Sequence, residues 1–273
     1  MKPSALTVAA IQVACQVGDR DGNLANASKF IELAARQGAK LVLLPELVPG
    51  GYTLNETIWD TAEPFDGPSM QWMRALSKRL DIYLGTTFVE ADREDFYNTF
   101  VLTDPGGEVV ARVRKTPPAS FEAYFFASAS DCHWFDTPIG RIGVGICFEN
   151  ALYERYAELH QAQIDLYLRP FSGPSFEAKF PIRQRDVDVL NAALREGTAE
   201  TARLMGIPVV MSNKVGRLVS TLPAGFPPQD MEFPGFSAVA DSDGSLLDQL
   251  GPGEQGAGYQ AHSPAVCRIG RAG

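Results

Sequence analysis

Thr99-Phe100-Val101-Leu102 and Val109-Val110-Ala111-Arg112-Val113 lie on either side of Asp104-Pro105-Gly106-Gly107. Proline presets one turn dihedral and glycine supplies a positive φ, so the two apolar runs read as an antiparallel hairpin. A second hairpin is spelled by Val239-Ala240 and Leu246-Leu247 around Asp241-Ser242-Asp243-Gly244. Elsewhere strand and helix patterns alternate, the mark of an α/β chain. Antiparallel hairpins within such a chain predict mixed sheets in place of a purely parallel wind. Helices then cover one face of each sheet, and the remaining faces bury each other.

Upstream of the first hairpin, the alternation in Leu6-Thr7-Val8-Ala9-Ala10-Ile11-Gln12-Val13 reads as a strand. Gly22 and Asn23 open a helix with Leu24, Ala27, Ile31, Ala34 and Ala35 on one face, and Gly38 closes it. Lys40-Leu41-Val42-Leu43-Leu44 is a short apolar strand of the kind buried on both faces, ending at Pro45-Glu46. Ser69 reads as the N-cap of a second helix carrying Met73, Leu76 and Leu80 on its inner face, and residues 82–89 follow as a strand. Downstream come strand 139–147, helix 150–161, strand 164–169, helix 185–205 and strand 207–213. Pro223, Pro227 and Pro228 make 217–234 a long loop expected to border the pocket, and 251–273, rich in Gly, reads as an irregular tail. No linker-like segment divides the chain, which predicts a single domain over residues 1–273.

The composition narrows the function classes. Of 273 residues 45% are hydrophobic, enough for a sizeable core, so wholesale disorder is excluded. Lys and Arg total 24 against 33 Asp and Glu, a net charge of −9, which argues against nucleic acid or an anionic membrane as partner. No apolar run approaches the roughly 20 residues of a membrane span. Cys15, Cys132, Cys147 and Cys267 are widely spaced with no CxxC, which suits reduced thiols in a cytoplasmic protein. Lys2 and the stretch Ala5–Ala14 imitate an export signal, but Gln12 interrupts it. His133, His160 and His262 lack HExxH or paired ligand spacing, so no metal is expected. Gly140, Gly143 and Gly145 lie within a strand and do not form GxGxxG.

Three residues at strand ends carry candidate chemistry. Cys147 closes the apolar run Ile142-Gly143-Val144-Gly145-Ile146 just before a helix, whose positive end would favour the thiolate. Ligands in open α/β sheets gather outside the carboxyl ends of strands, which makes the thiol a candidate nucleophile; the alternative is a buried structural cysteine. Glu46 also ends an apolar strand, in surroundings suited to a general base or acid; the alternative is an ordinary loop glutamate. Lys115 ends the Val109–Arg114 strand and is halted by Pro117-Pro118, and by itself reads equally as an exposed strand end.

Six pieces then occur in a family's order: Ala9-Ala10-Ile11-Gln12, Leu43-Leu44-Pro45-Glu46, Arg114-Lys115, Gly143-Val144-Gly145-Ile146-Cys147-Phe148-Glu149-Asn150, Val209-Val210-Met211-Ser212-Asn213-Lys214-Val215-Gly216, and Gly235-Phe236-Ser237. Over roughly residues 6–250 the chain resembles the nitrilase superfamily of carbon–nitrogen hydrolases. The resemblance implies a four-layer αββα sandwich with two mixed sheets packed face to face, assembled as a homodimer or larger homo-oligomer. It places the family's Glu-Lys-Cys triad on Glu46, Lys115 and Cys147, a further glutamate on Glu122, and an oxyanion-binding N–H on Phe148. It implies hydrolysis of a small amide or N-carbamoyl compound through a cysteine thioester, with no cofactor or metal.

Phe148-Glu149-Asn150 is closer to the Trp-Glu-Asn of true nitrilases than to the Tyr-Asp of many amidases, so a nitrile substrate is the alternative. A catalytically silent metabolite-binding member is a third reading. Arg169, ending the strand before Pro170, is expected in the substrate pocket with Glu149, Phe171 and Tyr52. Its guanidinium either clamps a substrate carboxylate or pairs with an acid such as Glu149.

Overall fold

The computed structural model describes residues 6–175, 183–252 and 265–269. Lys2, Ala5, His262 and the side chain of Cys267 lie outside the described residues. In chain order the elements are β1 (Leu6–Ala10), α1 (Arg20–Arg36), β2 (Leu41–Leu43), α2 (Pro68–Leu80), β3 (Tyr83–Asp92), β4 (Asp95–Thr103) and β5 (Val109–Arg114). There follow β6 (Trp134–Thr137), β7 (Gly140–Val144), α3 (Tyr153–Gln161), β8 (Leu166–Pro170), α4 (Gln184–Met205) and β9 (Val209–Ser212). The series ends with β10 (Val215–Ser220), β11 (Gln229–Pro234), β12 (Ala238–Ala240), β13 (Leu246–Gln249) and β14 (Ala265–Ile269).

Two six-stranded mixed sheets run in the orders β14-β1-β2-β3-β4-β5 and β13-β12-β9-β8-β7-β6. The strand period of two sorts their side chains between layers. Val8, Ala10, Leu41 and Leu43 of the first sheet pack with Ile142, Val144, Leu166 and Val210 of the second, forming the central core. Ala9 and Val42 point the other way, onto Ile31 and Ala34 of α1 and Met70 and Met73 of α2. On the second sheet Tyr167 and Val209 meet Leu159 of α3 and Ala202 of α4. Strands covered on both faces carry continuous apolar sequence, which is why Leu41-Val42-Leu43 holds no polar residue. The layers are therefore α-β-β-α. Both hairpins form as expected, β4 with β5 and β12 with β13. Among the described residues no helix is long and apolar enough to cross a membrane.

Four local expectations are corrected. Ser69 is not an N-cap: Gly67 holds that position and Pro68 opens α2, its fixed φ suiting a first helical residue. The carboxylate of Glu63 serves the orphan amides instead, accepting from the Ser69 N–H at 2.7 Å. Strand 139–147 and helix 150–161 are interrupted by a 3₁₀ turn over Cys147–Ala151, because Cys147 turns into the left-handed region at φ 48°. Segment 217–234 is not a loop but largely the arms of the antiparallel ribbon β10–β11; Pro223, Pro227 and Pro228 sit in the connection, where they remove no ladder bond. Within the expected irregular tail, Ala265–Ile269 forms β14, antiparallel to β1.

Candidate active site

The reactive side chains come from ends of strands in both sheets. Glu46 follows β2; its backbone N–H donates to Phe171 O at 3.1 Å and its carbonyl accepts from Ser172 Oγ at 3.0 Å. Lys115 follows β5, with its N–H on Asn98 O at 2.8 Å. Glu122 lies in a 3₁₀ turn, Ser120–Tyr124, where its Oε2 accepts from the Ala119 N–H at 2.9 Å. All three are at most 1% exposed. The exposed-strand-end and ordinary-loop alternatives for Lys115 and Glu46 therefore fall.

These three meet. Lys115 Nζ lies 2.7 Å from Glu46 Oε1 and 2.8 Å from Glu122 Oε2. Asn98 Nδ2 donates to the same Glu46 Oε1 at 2.7 Å, while Glu46 Oε2 is buried with no hydrogen-bond partner among the described residues. Burial alone would strip the Lys115 ammonium of its proton, but the carboxylates of Glu122 and Glu46 outweigh it and hold the charge. Burial, with Glu46 close by, pushes the Glu122 carboxyl up despite Lys115. Tyr52 caps this group, donating from its hydroxyl to Glu122 Oε1 at 2.7 Å.

Cys147 faces a cleft of about 350 Å³, with Tyr52, Phe148, Arg169 and Phe171 also on its wall. Burial and the Glu46 carboxylate push the thiol up, against the pull of Lys115 and a hydrogen bond from the Ser172 backbone. The pull of the helix end toward the thiolate is opposed here by burial and the neighbouring Glu46 carboxylate. Removing the proton needs a base. Phe148 is the second residue of that turn, where a helical N–H has no carbonyl behind it inside the helix.

Arg169 is 5% exposed and is the one ionic side chain of the cleft wall among the described residues. Its Nε donates to Asn150 Oδ1 at 2.8 Å and its Nη1 to Gly197 O at 2.9 Å, with the guanidinium 5.1 Å from the Phe171 ring centroid. Its expected ion pair with Glu149 does not form. Glu149 itself is corrected: it is fully buried and absent from the cleft wall. Its carboxylate faces inward to Ile146, Thr116, His133 and Arg155.

Asn98, Ser172 and Asn150 are structural contributors that the strand-end argument missed. Asn150 Nδ2 bonds the carbonyls of Gly145 and Cys147 at 2.7 and 2.9 Å, and its Oδ1 accepts from Tyr167 and Arg169. A polar Asn98 inside the apolar run of β4 was the one signal available for the first of them.

A family model for carbon-nitrogen hydrolases matches residues 7–269, so the chain belongs to the carbon-nitrogen hydrolase family, whose members are hydrolytic enzymes. Its relatives include N-carbamoylputrescine amidase of Solanum lycopersicum, 26% identical over 262 residues, covering 92% of this chain and 83% of the relative. Nitrilase 3 of Arabidopsis thaliana is 30% identical over 194 residues, 64% of this chain, and the match spans 56% of that relative's length. The solved carbon-nitrogen hydrolase of Helicobacter pylori G27 shares the fold, with a TM-score of 0.81 at 19% identity over 98% of this chain and 90% of that one.

Proposed function

We propose that the protein hydrolyses a non-peptide carbon–nitrogen bond in a small amide or N-carbamoyl compound by way of a thioester on Cys147. Glu46 takes the thiol proton as sulfur attacks the carbonyl carbon. The charge that develops on the carbonyl oxygen is met by the Lys115 ammonium and the Phe148 N–H, donors of a type worth about 3 kcal/mol each in other hydrolases. Glu46 returns its proton to the departing amine, the carbon–nitrogen bond breaks, and a thioester remains. Water attacks that thioester with Glu46 again as base, releasing acid and thiol. Glu122 holds Lys115 through both of its carboxylate oxygens, at 3.0 and 2.8 Å.

The observation that carries this reading is the division of labour within one carboxylate: Glu46 Oε1 is held by Lys115 and Asn98, and Oε2 is left free to accept a proton. Arg169 supports a substrate carboxylate as a second recognition element, since among the described residues its charge meets no acid in the cleft wall. A nitrile is the second reading, favoured by Phe148-Glu149-Asn150. The test is intact-mass spectrometry after incubation with matched amides, N-carbamoyl acids and nitriles. An acyl adduct on Cys147, absent in Cys147→Ala, with turnover of amides above nitriles is expected. Turnover of nitriles alone would replace the amide reading, and no adduct with any of them would leave a binding protein.

A further inference from the structure

We propose that Glu149 is a positioning residue that sets the separation between Lys115 and Cys147, a role that rests on the triad reading above. One oxygen, Oε1, accepts from the Thr116 N–H at 2.6 Å, and the other, Oε2, accepts from the Ile146 N–H at 2.7 Å. Thr116 directly follows Lys115, and Ile146 directly precedes Cys147. Lys115 hangs from β5 on one sheet and Cys147 from β7 on the other. Hydrogen-bond ladders fix distances within a sheet, whereas the two sheets meet through a largely apolar core crossed by a few point ties such as Ser172 Oγ to the Glu46 carbonyl. A carboxylate that spans the gap and grips both backbones is the kind of tie that can fix the distance between them.

The rest of the carboxylate's surroundings hold it in place. Oε1 also accepts from His133 Nε2 at 2.8 Å and Arg155 Nη2 at 3.2 Å. Arg155 reaches the Thr116 carbonyl at 3.2 Å and pairs with Glu158, whose Oε1 accepts from the His133 N–H at 2.9 Å. Burial pushes the Glu149 carboxyl up, but His133, Arg155 and the Thr116 N–H outweigh it and hold it below the usual range. It is therefore an ionised group that only accepts, with both oxygens engaged. Glutamine in its place presents one acceptor oxygen, so one of the two backbone N–H groups loses its partner. A shift of about 1 Å in a reacting group can cost about 100-fold in rate. Because the buried Glu149 side chain is not on the cleft wall and cannot reach a bound substrate, that loss belongs chiefly in kcat and not in KM.

The test compares Glu149→Gln and Glu149→Asp with Glu63→Gln, a buried carboxylate replaced at the start of α2, away from the cleft. Two readouts are taken: steady-state hydrolysis of the best amide, and the pH profile of Cys147 alkylation by iodoacetamide. The expected result at Glu149 is a kcat about 100-fold lower with KM within threefold. Alkylation should also move to higher pH, because a displaced Lys115 no longer lowers the thiol's pKa. Glu63→Gln should lower the melting temperature and leave both readouts in place. A folded Glu149 variant with kcat and alkylation profile both unchanged overturns the proposal. Failure of both Glu149 variants to fold overturns it too, since the carboxylate would then be a folding determinant. Alkylation needs no substrate, so a wild-type protein that turns over no amide sinks the reading of function without deciding the role of Glu149.

Discussion

Lys115 Nζ binds Glu46 Oε1 at 2.7 Å, and Glu46 Oε2 is buried without a hydrogen-bond partner among the described residues. A buried oxygen lacking a donor is costly, of the order of 1–3 kcal/mol, and such groups persist where the site uses them. In the proposed reaction its use is to receive a proton.

Replacing that oxygen should abolish the chemistry while keeping the shape. Glu46→Gln is expected to reduce kcat/KM on the best amide by about 10²–10⁴-fold, the range for a lost general base. Steady-state kinetics with circular dichroism to check folding decide the matter. A folded variant retaining more than about a tenth of wild-type activity would remove Glu46 from the reaction.

The same variant should make the thiol easier to ionise. Burial and the Glu46 carboxylate both push Cys147 up, and Lys115 pulls it down. Loss of the Glu46 charge therefore moves the iodoacetamide alkylation profile to lower pH, and Lys115→Met moves it to higher pH. Shifts of the same sign in both variants would show that these charges do not act on Cys147.

Lys115→Met tests how far the fold depends on the ammonium. It leaves the Glu46 and Glu122 carboxylates buried beside each other, and breaking a buried ion pair on one side typically costs about 3–5 kcal/mol. Glu122 is already pushed up by burial, and Lys115 holds it down. Without Lys115 its folded pKa rises further above the unfolded value. Stability linked to such a group is present at low pH and lost as pH climbs through the folded value. The variant's deficit, measured by urea denaturation, should therefore be largest near neutrality and shrink toward about pH 4–5, the ordinary glutamate range. A deficit constant with pH would show that Glu122 does not feel Lys115.

Arg169→Ala separates substrates by charge. A lost charge-assisted hydrogen-bonded contact costs about 1.5–3 kcal/mol, so kcat/KM on amides bearing a carboxylate should fall about 10–100-fold. Neutral amides of similar size should change far less. Equal losses on both would mean that Arg169 acts only by holding Asn150 and Gly197.

Much of the fold was legible because its signals are local. The alternation from Leu6 to Val13 reports a strand, Val42 between Leu41 and Leu43 reports a strand with two covered faces, and Asp104-Pro105-Gly106-Gly107 reports a reversal. Glu46 and Cys147 are marked by the apolar runs they end, whereas Lys115, after Val109–Arg114, gains its meaning only from the family resemblance. What escaped depends on contacts between distant segments. Nothing near Asn98 says that its side chain meets Glu46, and nothing near His133 says that it meets Glu149. The expectation that Glu149 lies in the substrate pocket fails for the same reason. In a 3₁₀ turn each residue advances by a third of a revolution, which brings Phe148 to the cleft and takes Glu149 into the interior. Pro223, Pro227 and Pro228 suggested a loop across 217–234, whereas the Val215–Pro234 register shows that they interrupt only its tip.

The pairing of Leu6 with Ile269 and Ala10 with Ala265 has a consequence for how the chain matures. Contacts between segments so far apart form late, since a very large loop must close before they contribute. Until β14 docks, β1 presents an open row of peptide groups that any extended neighbour can occupy. The vulnerable moment is thus a nearly finished sandwich with one seam unsewn, and crowded refolding would favour clumping at that seam over completion.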